Sequence, residues 1–140
     1  MIFKTSKCQE IFRNRFTGAS GEPFVDFKNG RSINNGLVNE TDITLYKEGV
    51  TEDIKSFYYK SLLSYVEGMA AVARKNFTWA TIKLYYSFYF GLRCSLLCRN
   101  VIIVRAGKHL YYARIQLKEP IYEKPAEMTD HGGAIEVYSK

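Results

Sequence analysis

TEDIKSFYYKSLLSYVEGMAAVARKNFTWATIKLYYSFYFGLRCSLLCRN, residues 51–100, decides the fold. Its first half opens on Thr51, whose hydroxyl suits orphan helix amides. Glu52 and Asp53 follow at the positive end of a helix dipole, and Arg74 and Lys75 close the stretch at the negative end. Ile54, Tyr58, Leu62, Tyr65, Met69 and Ala73 recur in steps of three and four, which predicts one apolar stripe on a long helix. Gly68 inside it marks a close approach by a neighbour. After the break Lys75-Asn76-Phe77, Thr78 is the expected cap of a second helix, apolar on nearly every face. That pattern predicts a helix at the centre of a small bundle, with the cluster Tyr85, Tyr86, Phe88, Tyr89 and Phe90 in its core.

A membrane span needs roughly 20 apolar residues. Lys83 and Arg93 confine the uninterrupted run to Leu84 through Leu92, so no span is expected. Outward from the helix pair the period changes. Val101-Ile102-Ile103-Val104, a turn at Arg105 to Lys108 and the run His109 to Leu117 predict a β-hairpin between about Asn100 and Leu117. KEPIYEKPAEM, with two prolines, reads as a loop. TDHGGAIEVYSK begins with capping residues and predicts the first turns of a further helix, which the chain does not finish. Upstream, TGASGEP, KNGRS and NNGLVNE set glycine and asparagine at short intervals. Residues 1–50 are therefore expected to be an irregular or short-stranded lead-in, with tight turns at Asn29-Gly30 and Asn35-Gly36.

The expected class is mainly α with an α+β element: one domain over residues 1–140. It comprises two long helices over 51–100, an inserted β-hairpin over 101–118, and a loop and helix start over 119–140. The N-terminus lacks the apolar run of a secretory signal. The three cysteines, Cys8, Cys94 and Cys98, follow no metal-like spacing, which together point to reduced thiols in a cytoplasm.

The formal charge of +6 is unevenly spread. Residues 76–118 hold seven Lys or Arg and no Asp or Glu, a distribution that favours an anionic partner, RNA or another nucleic acid first, unless acidic residues elsewhere balance it in space. Within it Arg93, Arg105, Lys108 and Arg114 are the candidate nucleic-acid contacts. No phosphate-loop, dinucleotide, nucleophile-elbow or zinc-helix motif is present, and with only His109 and His131 no histidine-rich metal site is expected. No cofactor is called for.

Ala80, Tyr85, Tyr86 and Ser87, in the pattern A-x-x-x-x-Y-Y-S followed by aromatics and a leucine-rich end, resemble the central helix of the HEPN superfamily (higher eukaryote and prokaryote nucleotide-binding domains). GMAAVARKNFTWA before it and DHGGAIEVY after it are similar to the flanking family helices. The resemblance covers residues 51–100 and 129–138, and leaves residues 1–50 and the hairpin unexplained. It implies a helical hairpin or small bundle. It further implies a metal-independent endoribonuclease, of the kind found in bacterial toxin and phage-defence systems, with an R-x(4-6)-H motif in a cleft between protomers. Arg99 and Asn100 match the arginine and the polar residue after it. In such chemistry histidine moves the proton of the 2′-hydroxyl or leaving oxygen, and arginine stabilises the charge building on phosphate. The histidine departs from the pattern: nine residues separate Arg99 from His109 and three separate Arg105 from it, so His131 or His109 takes the role. Two other readings stand beside the nuclease. One is a non-catalytic dimerisation or docking module, as a homodimer or with a larger chain. The other is a basic nucleic-acid binder without chemistry.

Overall fold

A computed structural model describes residues 6–16, 40–106, 109–116, 122–124 and 129–140. The fold is mainly α with a small antiparallel sheet. Helix α1 (Lys7–Phe16) is followed by α2 (Glu40–Ala73), α3 (Phe77–Cys98), strands β1 (Val101–Ala106), β2 (His109–Arg114) and β3 (Tyr122–Lys124), and helix α4 (Asp130–Tyr138). Among the described residues no helix is long and apolar enough to cross a membrane.

Helices α2 and α3 form an antiparallel hairpin, and its seam is made of small residues. Ser61, Ser64, Gly68 and Ala71 recur on α2 in steps of three and four, facing Ala80, Leu84, Ser87 and Gly91 on α3. A Cβ on Gly68 would stand 2.8 Å from Leu84 Cδ2, and one on Gly91 3.3 Å from Ser61 Oγ. The close approach expected at Gly68 is therefore real. Of the predicted stripe Ile54 packs against the core, but the large residues beyond it lie outside: Tyr58 is 63%, Leu62 50%, Tyr65 50% and Met69 47% exposed. The aromatic cluster is likewise only partly core, since Tyr85, Tyr86 and Phe88 are exposed. Bulky side chains on the seam would hold the axes farther apart, so the small residues turn the bulky ones outward.

The base of the hairpin carries the rest of the fold. Helix α1 and α2 enclose one core with the sheet, where Phe12 stacks on Tyr111 at 5.7 Å between Ile102 and Val104 of β1 and Val50 and Phe57 of α2. The opposite face of the sheet packs Ile103 and Leu110 against Leu92 and Leu96 of α3 and Ala134 and Val137 of α4. The sheet is thus covered on both sides, which explains why Val101 to Val104 read as a continuous apolar run rather than an alternation. Strands β1 and β2 pair from Val101↔Arg114 to Ala106↔His109, as the expected hairpin requires. β3 adds a third strand through Leu110↔Lys124 to Tyr112↔Tyr122, inside the stretch expected to be a loop.

Residues 1–50 were expected to be irregular or short-stranded, yet 7–16 and 40–50 are helical; the turns at Asn29-Gly30 and Asn35-Gly36 lie outside the described residues. Two causes escape a local reading. Gly49 lies inside α2, where its missing Cβ makes room for Ile11 Cδ1, which would stand 2.9 Å from a side chain there. The N-terminus of α1 is capped from α2, because the buried Asp53 carboxylate accepts hydrogen bonds from the backbone amides of Lys7 (2.6 Å) and Cys8 (2.9 Å). Thr51, expected to cap α2, sits inside it and donates its hydroxyl to the Lys47 carbonyl. The cap of α3 is Asn76, whose side chain accepts from the Trp79 amide, not Thr78.

At the free edge of β1, Gln9 of α1 accepts from the Arg105 amide and donates to the Arg105 carbonyl, both at 2.6 Å. One side-chain amide thereby fills the place of a neighbouring strand residue.

Candidate functional site

The Thr129 hydroxyl accepts from the Gly132 amide and starts α4, as the sequence predicts, which brings His131 onto the first turn. There the half-buried imidazole meets the middle of α3. Its ring centroid is 3.9 Å from that of Tyr89, 5.2 Å from Tyr85 and 5.8 Å from Tyr86, the last edge-on. The Tyr85 hydroxyl shares a hydrogen bond with His131 Nδ1. A tyrosine hydroxyl can donate to or accept from Nδ1, and with that atom engaged Nε2 is the ring nitrogen left for a ligand.

Two arginines are each bonded to a neighbour of the imidazole. Arg93 donates from Nη1 to the Tyr89 hydroxyl (3.3 Å) and from Nη2 to the Ile103 carbonyl (2.9 Å), with its guanidinium 5.2 Å from the Phe57 ring. One tyrosine ring therefore separates Arg93 from His131. Arg105 donates from Nε to Asp130 Oδ1 at 2.6 Å, beside His131 in the chain. Burial pushes the Tyr89 phenol above its ordinary value; the Arg93 guanidinium opposes this, and Asp130 and Tyr85 add to it. Tyr89 is thus held as a neutral phenol.

Arg99 is placed elsewhere. It is the exposed C-cap of α3, its guanidinium 4.9 Å from the Tyr138 ring at the far end of α4. Tyr138 lies seven residues after His131 along α4, a rise of about 10 Å. Asn100 has φ 58°, donates its amide to the Leu97 carbonyl at 2.9 Å and accepts from the Ile115 amide at 2.7 Å, so it terminates α3 in the left-handed conformation that Asn tolerates. His109 opens β2 opposite Ala106, and Arg114 ends the strand, exposed, opposite Val101. Lys108 lies outside the described residues.

The acid-free run 76–118 does not produce an acid-free surface. Lys83 meets Glu67 at 2.5 Å and Arg105 meets Asp130, while Arg93 and Arg99 lie against aromatic rings. Glu67 and Asp130, from other segments, thus balance two of the run's cations. Among the described residues no group of three His, Cys, Asp or Glu stands close enough to hold a metal ion. Cys8, Cys94 and Cys98 are free thiols, of which Cys8 is buried and Cys98 exposed.

Tyr85, Tyr89 and Asp130 were not named as site residues by sequence reasoning. The doublet Tyr85-Tyr86 carried the family resemblance, but only the fold brings it to a histidine 46 residues away. No protein family, no curated protein and no solved structure was found to match this chain.

Proposed function

We propose that the chain is a HEPN-like, RNA-directed effector, acting as a metal-independent endoribonuclease with His131 as its proton-transferring group. The observation that carries this is the seating of His131: a Tyr85 hydrogen bond on Nδ1, a Tyr89 ring beneath it, Arg93 bonded to that tyrosine and Arg105 bonded to the adjoining Asp130. In this reading Nε2 exchanges a proton with the 2′-hydroxyl or the leaving oxygen. Arg105, and Arg99 from the end of α3, would hold phosphate, and Arg93 would position Tyr89. A toxin or phage-defence setting follows from the family resemblance alone.

The test is incubation of the purified chain with mixed RNA in EDTA. Cleavage that survives the chelator and falls about 100-fold or more in His131→Ala supports the reading, since positioned acid–base groups contribute roughly 10²–10⁴-fold. Intact RNA with a folded wild-type chain overturns it.

A second reading is favoured by a different observation, the exposed apolar surface of the distal hairpin. A monomeric domain rarely leaves so much contiguous apolar surface in water. In this reading the chain is a docking module whose α2–α3 face is covered by another protein chain.

A further inference from the structure

The large exposed apolar residues on α2 are not scattered. Tyr58, Leu62, Tyr65, Met69 and Val72 follow steps of four, three, four and three, and Tyr59 and Val66 widen the same face. A repeat averaging 3.5 residues is the spacing by which one helix packs along another. The band from Tyr58 to Ala73 runs about 22 Å at 1.5 Å per residue. α1 and the sheet cover only the hairpin's base, so nothing among the described residues lies over it.

Charge is distributed so that the helix complements itself when reversed. Exposed Arg74 and Lys75 stand at the tip of the hairpin. At its base Glu48 and Glu52 line a groove of about 330 Å³ together with Glu10 and Lys7 of α1, which pair with each other at 3.3 Å. Successive turns of about 100° per residue place Glu48, Glu52 and Arg74 on one flank of the apolar band. A twofold axis lying in the interface, perpendicular to the helices, brings like flank against like flank.

We infer that two copies of this chain pair antiparallel through α2, with Leu62 near the twofold axis and the basic tip of each hairpin in the acidic groove of the other. In this register Leu62 meets Leu62, Tyr58 lies beside the second copy's Tyr65 on one flank, and Tyr59 lies beside its Val66 on the other. Arg74 then falls between the second copy's Glu48 and Glu52. The two hairpins form a four-helix layer, and the His131 sites lie on α3 and α4, outside the α2 contact. The assignment rests on the docking reading and commits its occupant to a second copy.

The experiment uses the full chain carrying Cys98→Ser, so that no exposed native thiol competes. Leu62→Cys in that background should form a covalent dimer under mild oxidation, whereas Val72→Cys, far from the axis, should form at least tenfold less. By light scattering the wild type should be dimeric at micromolar concentration. Arg74→Glu should weaken the dimer at least tenfold, and mixing it with Glu48→Arg/Glu52→Arg should restore mixed dimers. A dimer indifferent to the charge reversal, or a Leu62→Cys chain that does not cross-link while dimeric, overturns the register. A monomeric wild type overturns the self-pairing but not the docking reading, which falls only if Leu62→Asp leaves hydrophobic-dye binding unchanged.

Discussion

Ser61 and Ser87 each donate a hydroxyl hydrogen bond to the other's backbone carbonyl, at 2.8 and 2.9 Å, across the α2–α3 seam. The pair satisfies two polar groups inside the seam, beside the close approach of Gly91 to Ser61. It fixes the longitudinal register of the helices, and with them the position of the tyrosines that receive His131.

Ser61→Leu should lower unfolding stability by about 2–3 kcal/mol, combining overpacking against Gly91 with loss of the hydroxyl bond to Ser87. Denaturant titration followed by circular dichroism measures it. A change under about 0.5 kcal/mol, the range of ordinary surface substitutions, would mean that the seam is not tightly packed.

Asp53→Ala should cost about 2–3 kcal/mol, because it strips two amides at the start of α1 of a buried charged acceptor. Amide hydrogen exchange should show α1 losing protection before the hairpin does. Uniform loss across all helices would contradict a capping role.

The thiols should divide by burial. Cys98, exposed, should react with a disulfide reagent in the native state, and Cys8 only on unfolding. Burial pushes the Cys8 thiol up strongly, and the neighbouring Asp53 carboxylate adds to this. A folded value above the unfolded one means that the fold retains the proton. This contribution is complete below the ordinary thiol range near about 8.5 and is lost as pH rises beyond it. Tyr89, also raised, acts in the same direction above about 10. The denaturation midpoint should therefore fall between pH 8 and pH 10.5, and Cys8→Ala should reduce the slope.

Tyr85→Phe should release Nδ1 of His131 while leaving the ring against Tyr89. Nitrogen NMR of the imidazole should show the tautomer ratio moving toward that of free histidine, with thermal stability changed by no more than about 1 kcal/mol, as expected for one exposed hydrogen bond. An unchanged tautomer ratio would show that Tyr85 does not orient the ring.

Much of this architecture can be read from the residues. The two long helices, the hairpin after Asn100 and the Thr129-capped helix follow from period, turn residues and caps. What fails has a common cause, which is that a partner distant in sequence decides the outcome. Gly49 carries no local sign that Ile11 packs on it, and Asp53 looks like the first turn of its own helix until Lys7 and Cys8 meet it. The buried stripe of α2 was legible in principle, since Ser61, Ser64, Gly68 and Ala71 repeat as regularly as the large residues beside them. Size drew attention to the wrong set. At the site, His131, Arg93 and Arg105 were recognisable as unusual residues, whereas Tyr85, Tyr89 and Asp130 acquire a role only through contacts across the fold.

The Gln9 amide on Arg105 bears on how this chain avoids misassembly. A strand edge with open amides and carbonyls is a template for another strand, and stacked copies of a run such as Val101 to Val104 are the material of cross-β fibrils. Gln9 occupies the donor and the acceptor of the residue just beyond that run, and it does so from a helix, which cannot itself be extended by strand addition. Detaching α1 would thus do more than remove a share of the core. It would turn a protected sheet into a seeding surface, so that loss of ten helical residues should be seen first as fibril formation.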